Sequence, residues 1–235
     1  IGKDGSVYRA EYEKLTAVIE KFFWDEEKGA YIDSFTSGRR NVTRHANIFA
    51  ILFSIVDETK QEKILKNVLE NDKIPAITTP YFNFFELDVL CRMGKLTEVL
   101  DKIRSYWGGM LDLGAVTFWE EYDPSVPKEE QYDMYGDHFG KSLCHAWAAS
   151  PIYFLAKYFA GLDLVNKDGV TYILKPQMQY FTELDCTLPV GSNGVMRLVW
   201  DGEILEITPN ADGGILELGE QKLSLVRGET RRVKI

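Results

Sequence analysis

The feature that most constrains this chain is a change of hydrophobic period near residue 167. Before it, apolar residues recur at helical spacing; after it, they alternate every second residue, as on a half-buried strand. The expected architecture is a mainly α domain at 1–163 followed by an antiparallel β-sandwich domain at 164–235.

Two kinds of helix alternate in the first part. Residues 8–23 place Tyr12, Leu15, Val18, Ile19 and Phe22 on one stripe, with Lys and Glu opposite. Residues 60–70 and 95–106 are amphipathic in the same way. Residues 42–56, 81–93 and 139–160 are apolar almost all round and call for burial on most sides, with a kink expected at Pro151. The order outer, inner, outer, inner, outer, inner is that of a concentric double ring of helical hairpins. An α-solenoid also stacks helix pairs, but no fixed repeat marks this sequence. The loops entering inner helices are long (24–41, 71–80, 107–138) and those leaving them are short. Inner helices of such a ring run parallel, so the long loops gather at one mouth, where function concentrates. The inner-helix N-termini point there too, each with unpaired N–H groups.

In the β part TYILKP, LDCTLPV, VMRLVW, EILEITP, GILELG, KLSLVRG and RRVKI alternate, with Asp201-Gly202 as a hairpin turn. This domain reads as a packing element rather than a catalytic one. A net charge of −9 argues against a nucleic-acid partner. No apolar run of about 18 residues marks a membrane span. Cys91, Cys144 and Cys186 cannot all pair, which favours reduced core thiols and a cytoplasmic location, with the periplasm as alternative. The start at Ile1 rather than Met reads as a cut inside a longer protein.

Chemistry concentrates in WGGMLDLGAVTFWEEYDPSVPKEEQYDMYGDHFG, which begins at Trp107. Its carboxylates Asp112, Glu120, Glu121, Asp123, Asp133 and Asp137 are interleaved with Trp107, Trp119, Tyr122, Tyr132 and Tyr135. Aromatic neighbours strip water from a carboxylate and make it a better proton acceptor near neutrality. Rings beside acids also suit glycoside hydrolysis, which uses two carboxyl groups. Glu120 is the candidate catalytic residue, with Glu121 as runner-up. His45 and His145, each opening an inner helix, read either as partners for sugar hydroxyls or as core histidines; His138 lies nearby. No compact zinc motif occurs, so no metal and no cofactor is expected.

Residues 106–124, YWGGMLDLGAVTFWEEYDP, resemble the Trp-Gly, Met-Leu and Trp-Glu block of the α-L-rhamnosidases of glycoside hydrolase family 78. SLCHAWAASPIYFL at 142–155 is similar to that family's Ser-Leu-Asn-His helix start, and GLDLVNKDGVTYILKP with the β tail fits its closing domain. Cys144 stands where the family has Asn, Ala148-Ala149-Ser150 replaces a Phe-Gly stretch, and Glu121 replaces a commonly basic residue.

The resemblance implies half of an (α/α)6 toroid and an inverting removal of terminal α-L-rhamnose. It makes Glu120 the general base and sets Trp107, Asp112, Trp119, His145 and His45 in the sugar site. The general acid and the other hairpins would belong to an upstream half of the same protein, without which the fragment is expected to be inactive and prone to self-association. Another six-hairpin glycosidase, such as an unsaturated-glucuronyl hydrolase, or a non-catalytic carbohydrate-binding protein are the alternatives.

Overall fold

The computed structural model describes residues 4–167, 170–190 and 194–235. They form two compact units: Ile1–Lys95 with Arg104–Ala148, and Leu96–Ile103 with Ala149–Ile235.

In the first unit, helix α1 (Ser6–Phe23) leads into a hairpin of β1 (Trp24–Asp25) and β2 (Ala30–Tyr31). Then come α2 (Arg44–Leu52), α3 (Glu58–Ile64, wound on as a π-turn through Leu65–Leu69) and α4 (Pro80–Arg92). Each start is written locally. Asp57 caps α3 by accepting from Lys60 N at 2.8 Å, and Pro80 occupies the first turn of α4, where no N–H is needed. Two buried polar devices fix the packing. The Asn47 amide joins α2 to β2, accepting from Tyr31 N (2.8 Å) and donating to Tyr31 O (3.0 Å) and Thr43 O (2.8 Å). Arg44 Nη1 donates to Glu86 Oε1 (3.0 Å) and Leu69 O (2.8 Å), tying α2 to α4 and to the end of the α3 segment.

α1 has no buried residue, so its apolar stripe is not sunk into a core: Leu15 is 50% exposed and Phe22 41%. The helix is held instead at its flank, where Tyr12 Oη donates to Phe53 O and Ser54 O.

A run of α5 (Leu96–Lys102), a π-turn (Ile103–Trp107) and α6 (Gly108–Asp112) begins in the second unit and enters the first. The helix expected over 139–160 does not form until Ser150. Residues 142–145 are irregular, with bends at Leu143 and Cys144, and their backbone is hydrogen-bonded to Phe118 and Glu120. Pro151 does not kink a helix; it lies in the first turn of α7 (Ser150–Phe154), which continues as a π-turn through Phe159.

In the second unit all seven expected strands form, and an eighth, β3 (Leu162–Lys167), precedes them. These are β4 (Val170–Leu174), β5 (Leu184–Val190), β6 (Gly194–Trp200), β7 (Ile204–Pro209), β8 (Gly214–Leu218), β9 (Gln221–Leu225) and β10 (Arg231–Lys234). One sheet, β10-β7-β6-β5, is antiparallel throughout. The other, β3-β4-β8-β9, contains a parallel pair, β4 with β8, so the expected all-antiparallel arrangement is corrected there. β8 follows a β5–β7 excursion through the other sheet and returns beside β4 in the same sense. Alternate residues Met196, Leu198 and Trp200 of β6, Leu205 and Ile207 of β7, and Tyr172 and Leu174 of β4 enter one shared core. Phe159 packs against Tyr180 and Phe181 at 5.4 and 6.0 Å, joining the last helix to the sheets.

Candidate active site

The site is built by two backbone hydrogen bonds between two loop segments of the first unit. His145 N donates to Phe118 O (2.8 Å) and Glu120 N to Ser142 O (2.9 Å). The Thr117 hydroxyl donates to Leu143 O, and Tyr122 N donates to Thr78 O at 3.1 Å. Residues 117–122 form no regular strand, and the chain bends at Thr117 and at Glu120.

The paired glutamates have different partners. Glu120 is 8% exposed. Its Oε1 accepts from Tyr135 Oη at 3.0 Å, its Oε2 from Ser142 N at 3.1 Å, and His145 Nδ1 lies 3.8 Å from Oε2. Glu121 turns the other way: its Oε1 accepts from Thr78 Oγ1 at 2.9 Å, and Lys141 Nζ is 3.9 Å from its Oε2. The Lys141 side chain is only 4% exposed. Burial pushes its pKa down from the ordinary lysine range, opposed by Glu121, Asp123, Asp133 and Glu120.

Tyr135 reaches Glu120 from the tip of a two-residue turn closed by the Met134–Asp137 bridge. Its φ of +55° is in the left-handed region that non-glycine residues seldom occupy, a local strain of about 1–2 kcal/mol. The hydrogen bond to Glu120, and then that carboxylate's charge, push the phenol's pKa up.

The aromatic residues divide into a buried wall and an open face. Trp107 (5% exposed) gives its indole N–H to Ala148 O at 2.8 Å, and Trp119 (3% exposed) packs edge-on against Tyr132 at 5.5 Å. The second glycine after Trp107 has a steric reason: a Cβ on Gly109 would lie 2.4 Å from Tyr122 Oη. The open face is a line of rings. His145 lies 4.1 Å from Trp147, Trp147 5.3 Å from Tyr81, Tyr81 5.2 Å from Phe82, and Phe82 4.4 Å from His45. Trp147 is 50% exposed and Tyr81 43%.

Of the residues singled out in the sequence, Glu120 and His145 thus meet, Glu121 turns to Thr78 and Lys141, and His45 joins through the ring line. Trp107 and Trp119 lie in the wall, and Asp112 is exposed at the end of α6. His138 is apart from Glu120's ligands, 2.6 Å from Asp133 Oδ1. Tyr135, Lys141, Tyr81 and Trp147 were not singled out as site residues. Among the described residues, no group of three His, Cys, Asp or Glu side chains is placed to hold a metal ion.

Residues 2–159 match the family described as the bacterial alpha-L-rhamnosidase 6 hairpin glycosidase domain. Among curated proteins, none matches the chain. Of solved structures, a rhamnosidase of glycoside hydrolase family 78 from Bacillus sp. GL1 superposes with a TM-score of 0.73 at 23% identity, over 92% of this chain and 23% of its own. An alpha-L-rhamnosidase from Dictyoglumus thermophilum superposes with a TM-score of 0.63 at 20% identity, over 94% of this chain and 25% of its own. At these identities the likeness is one of fold. The chain spans about a quarter of the length of either enzyme.

Proposed function

The chain belongs to the bacterial α-L-rhamnosidase six-hairpin glycosidase domain family, and from that premise we propose that it is part of an inverting glycoside hydrolase that removes terminal α-L-rhamnose. In this reading residues 1–163 are half of an (α/α)6 toroid, and 164–235 are a β-sandwich whose two sheets enclose the shared core. The quarter-length match to whole enzymes supports a fragment, with the general acid and the remaining hairpins in the upstream half.

The observation that carries the proposal is the setting of Glu120. It is a buried carboxylate with one oxygen facing Tyr135 and the other held by a backbone N–H, beside His145 and an open face of aromatic rings. Such a group can orient a water and accept its proton as the water attacks the anomeric carbon. An inverting pair stands about 6.5–9.5 Å apart, so the acid must approach from across the mouth. His145 and His45 at the two ends of the ring line, with Asp112, are assigned to sugar hydroxyls. Trp107 and Trp119 form the wall behind the carboxylate, and Tyr81 and Trp147 offer apolar faces to a sugar ring. Lys141 and Thr78 hold Glu121 away from the reacting centre.

The test is a pair of substitutions in the full-length enzyme, assayed on an aryl α-L-rhamnoside with NMR of the released anomer. A glutamine at 120 can still accept from Ser142 N and donate to Tyr135 Oη, so Glu120→Gln keeps the fold and removes the base. It should lower kcat by about 10²–10⁴ and leave KM nearly unchanged, while Glu121→Gln costs far less. The reverse order, or release of the retained anomer, overturns the assignment. Rhamnose binding without turnover in the intact protein would make this a carbohydrate-binding protein instead. The 235-residue chain alone is expected to give no useful turnover, since in this reading the acid belongs to the upstream half.

A further inference from the structure

A second concavity of the first unit has the opposite electrostatic character. It encloses about 620 Å³ between the 28–43 segment and residues 67–75. Lys28, Arg40 and Lys73 line it against a single carboxylate, Asp33, in a chain whose net charge is −9.

Two of these cations are uncommitted. Arg40 Nε is engaged by Asp25 Oδ2 at 2.8 Å, which holds the Asp25 carboxyl below its usual range. Asp33 accepts from the Thr43 hydroxyl at 2.7 Å. Among the described residues, neither the Lys28 nor the Lys73 ammonium has an ion-pair partner. Two unpaired ammoniums on one concavity create a local positive potential in a protein of net charge −9.

The walls are preorganised. The Asp25 carboxylate caps the β1–β2 turn by accepting from Glu27 N and Lys28 N, both at 3.1 Å. Gly29 has φ +58°, and a Cβ there would lie 2.5 Å from Asn67 Nδ2, so only glycine lets the turn seat against the other wall. Asn67 Nδ2 then donates to Lys28 O (3.1 Å), and Asn71 Nδ2 to Asn67 O (2.9 Å). Lys28 and the 67–75 wall are thereby fixed relative to each other before anything binds, which lowers the cost of binding. The remaining lining mixes hydroxyl- and amide-bearing side chains (Thr43, Asn41) with apolar floor residues (Val42, Ile74).

We propose that this concavity is a binding site for a carboxylated sugar, its carboxylate between Lys28 and Lys73 and its hydroxyls on the asparagine and threonine side. Charge alone would suit any small anion; the amides and the apolar floor select a polyhydroxylated one. The site lies outside the Glu120 machinery but shares the 71–80 loop with it. Ile74 and Pro75 line the pocket, and Thr78 holds Glu121. Three residues of chain reach at most about 10 Å, so the pocket wall is within one or two sugar units of Thr78. The choice of a sugar acid rests on the carbohydrate-active reading above; the cationic pocket does not.

The experiment is titration of the 235-residue chain with glucuronic acid, followed by calorimetry and by amide NMR shifts. Glucose supplies the neutral-sugar arm, and acetate and inorganic phosphate supply the charge-only arm. Glucuronate should bind on the order of 10-fold more tightly than any of these, with shifts confined to residues 28–43 and 67–75. The Lys28→Ala/Lys73→Ala double variant should weaken it by about 10-fold, and raising the salt should weaken it too. Both lysines are exposed, and an unchanged melting curve confirms that the variant folds. Glu120→Gln should leave this affinity within about twofold. Absence of binding, equal affinity for phosphate or glucose, retained affinity in the double variant, or shifts around Glu120 would each overturn the proposal. A failed titration with an intact Glu120 dependence of turnover removes only the pocket; the converse removes only the hydrolase reading.

Discussion

Replacing Asn47 by alanine should unfold the first unit's hairpin more readily than any surface change nearby. Asn47 is fully buried, and its amide makes three hydrogen bonds of 2.8–3.0 Å, two of them to the N–H and C=O of Tyr31, itself 2% exposed. A typical hydrogen bond contributes about 1 kcal/mol net, and stranding a buried partner adds about 1–3 kcal/mol. The loss is therefore about 4–6 kcal/mol, larger than the ~1 kcal/mol of an average substitution. With a urea m-value of about 2 kcal/mol/M, the midpoint of that unit's transition should fall by ~2–3 M. Hydrogen exchange at the Tyr31 amide should accelerate in parallel. Asn47→Asp keeps an acceptor for Tyr31 N but loses both donors and buries a charge, so it should be no better. Because Lys28 rides on the same hairpin, the alanine variant should also bind glucuronate less well. A loss under about 1 kcal/mol with Tyr31 still protected would show that water replaces the amide and that Asn47 does not hold β2 to α2.

Arg44→Met or Glu86→Met alone should cost about 3–5 kcal/mol in thermal or urea melts, and the double Met variant clearly less than the sum, because a lone buried charge is worse than none. Equal or additive losses would deny that the pair is buried as a unit. Tyr31, with its phenol pushed up to about 12 by burial and by Asp57, should make stability flat below about pH 10 and falling as pH rises toward 12. The unfolded chain releases this proton first, so the folded state loses its advantage with rising pH; Tyr31→Phe should flatten the decline, and an unchanged slope would refute it. The exposed stripe of α1, including Val7 (75%) and Tyr8 (80%), should make the chain self-associate or bind a hydrophobic dye. Light scattering showing a strict monomer, with no dye bound, would count against this.

Periodicity was enough to read most elements because most are local or repeat a local pattern. The stripe of α1, the apolar run of α4 and the alternation in β5–β7 each state their own secondary structure. The family was legible from the Trp-Glu block and the His-containing segment. What escaped depends on distant partners. Trp107 and Trp119 are aromatic in the sequence but buried only because Ala148 and Tyr132 close over them. Lys141 sits at the head of an apolar run, where a charge reads as a solvated terminus, yet the fold buries it beside Glu121. Tyr135 left a weak local signal: a residue before Gly136 in a turn with positive φ at both positions, though without the usual Asn or Asp.

The failed helix over 139–149 and the candidate site have one cause. In a helix the N–H groups of residues 142–145 would be turned toward the helix's own carbonyls rather than toward the 118–120 segment. The non-helical backbone lets this segment lie alongside 118–120, with His145 N donating to Phe118 O and Glu120 N donating to Ser142 O. That register delivers the Ser142 N–H and the His145 ring to the same Glu120 carboxylate, and places the preceding Lys141 beside Glu121 on the opposite side. A helix from residue 139 would satisfy its apolar pattern and scatter these groups around its axis. The local preference is overridden where non-local backbone hydrogen bonds assemble the carboxylates, which is where departures from sequence expectation are expected to mark function.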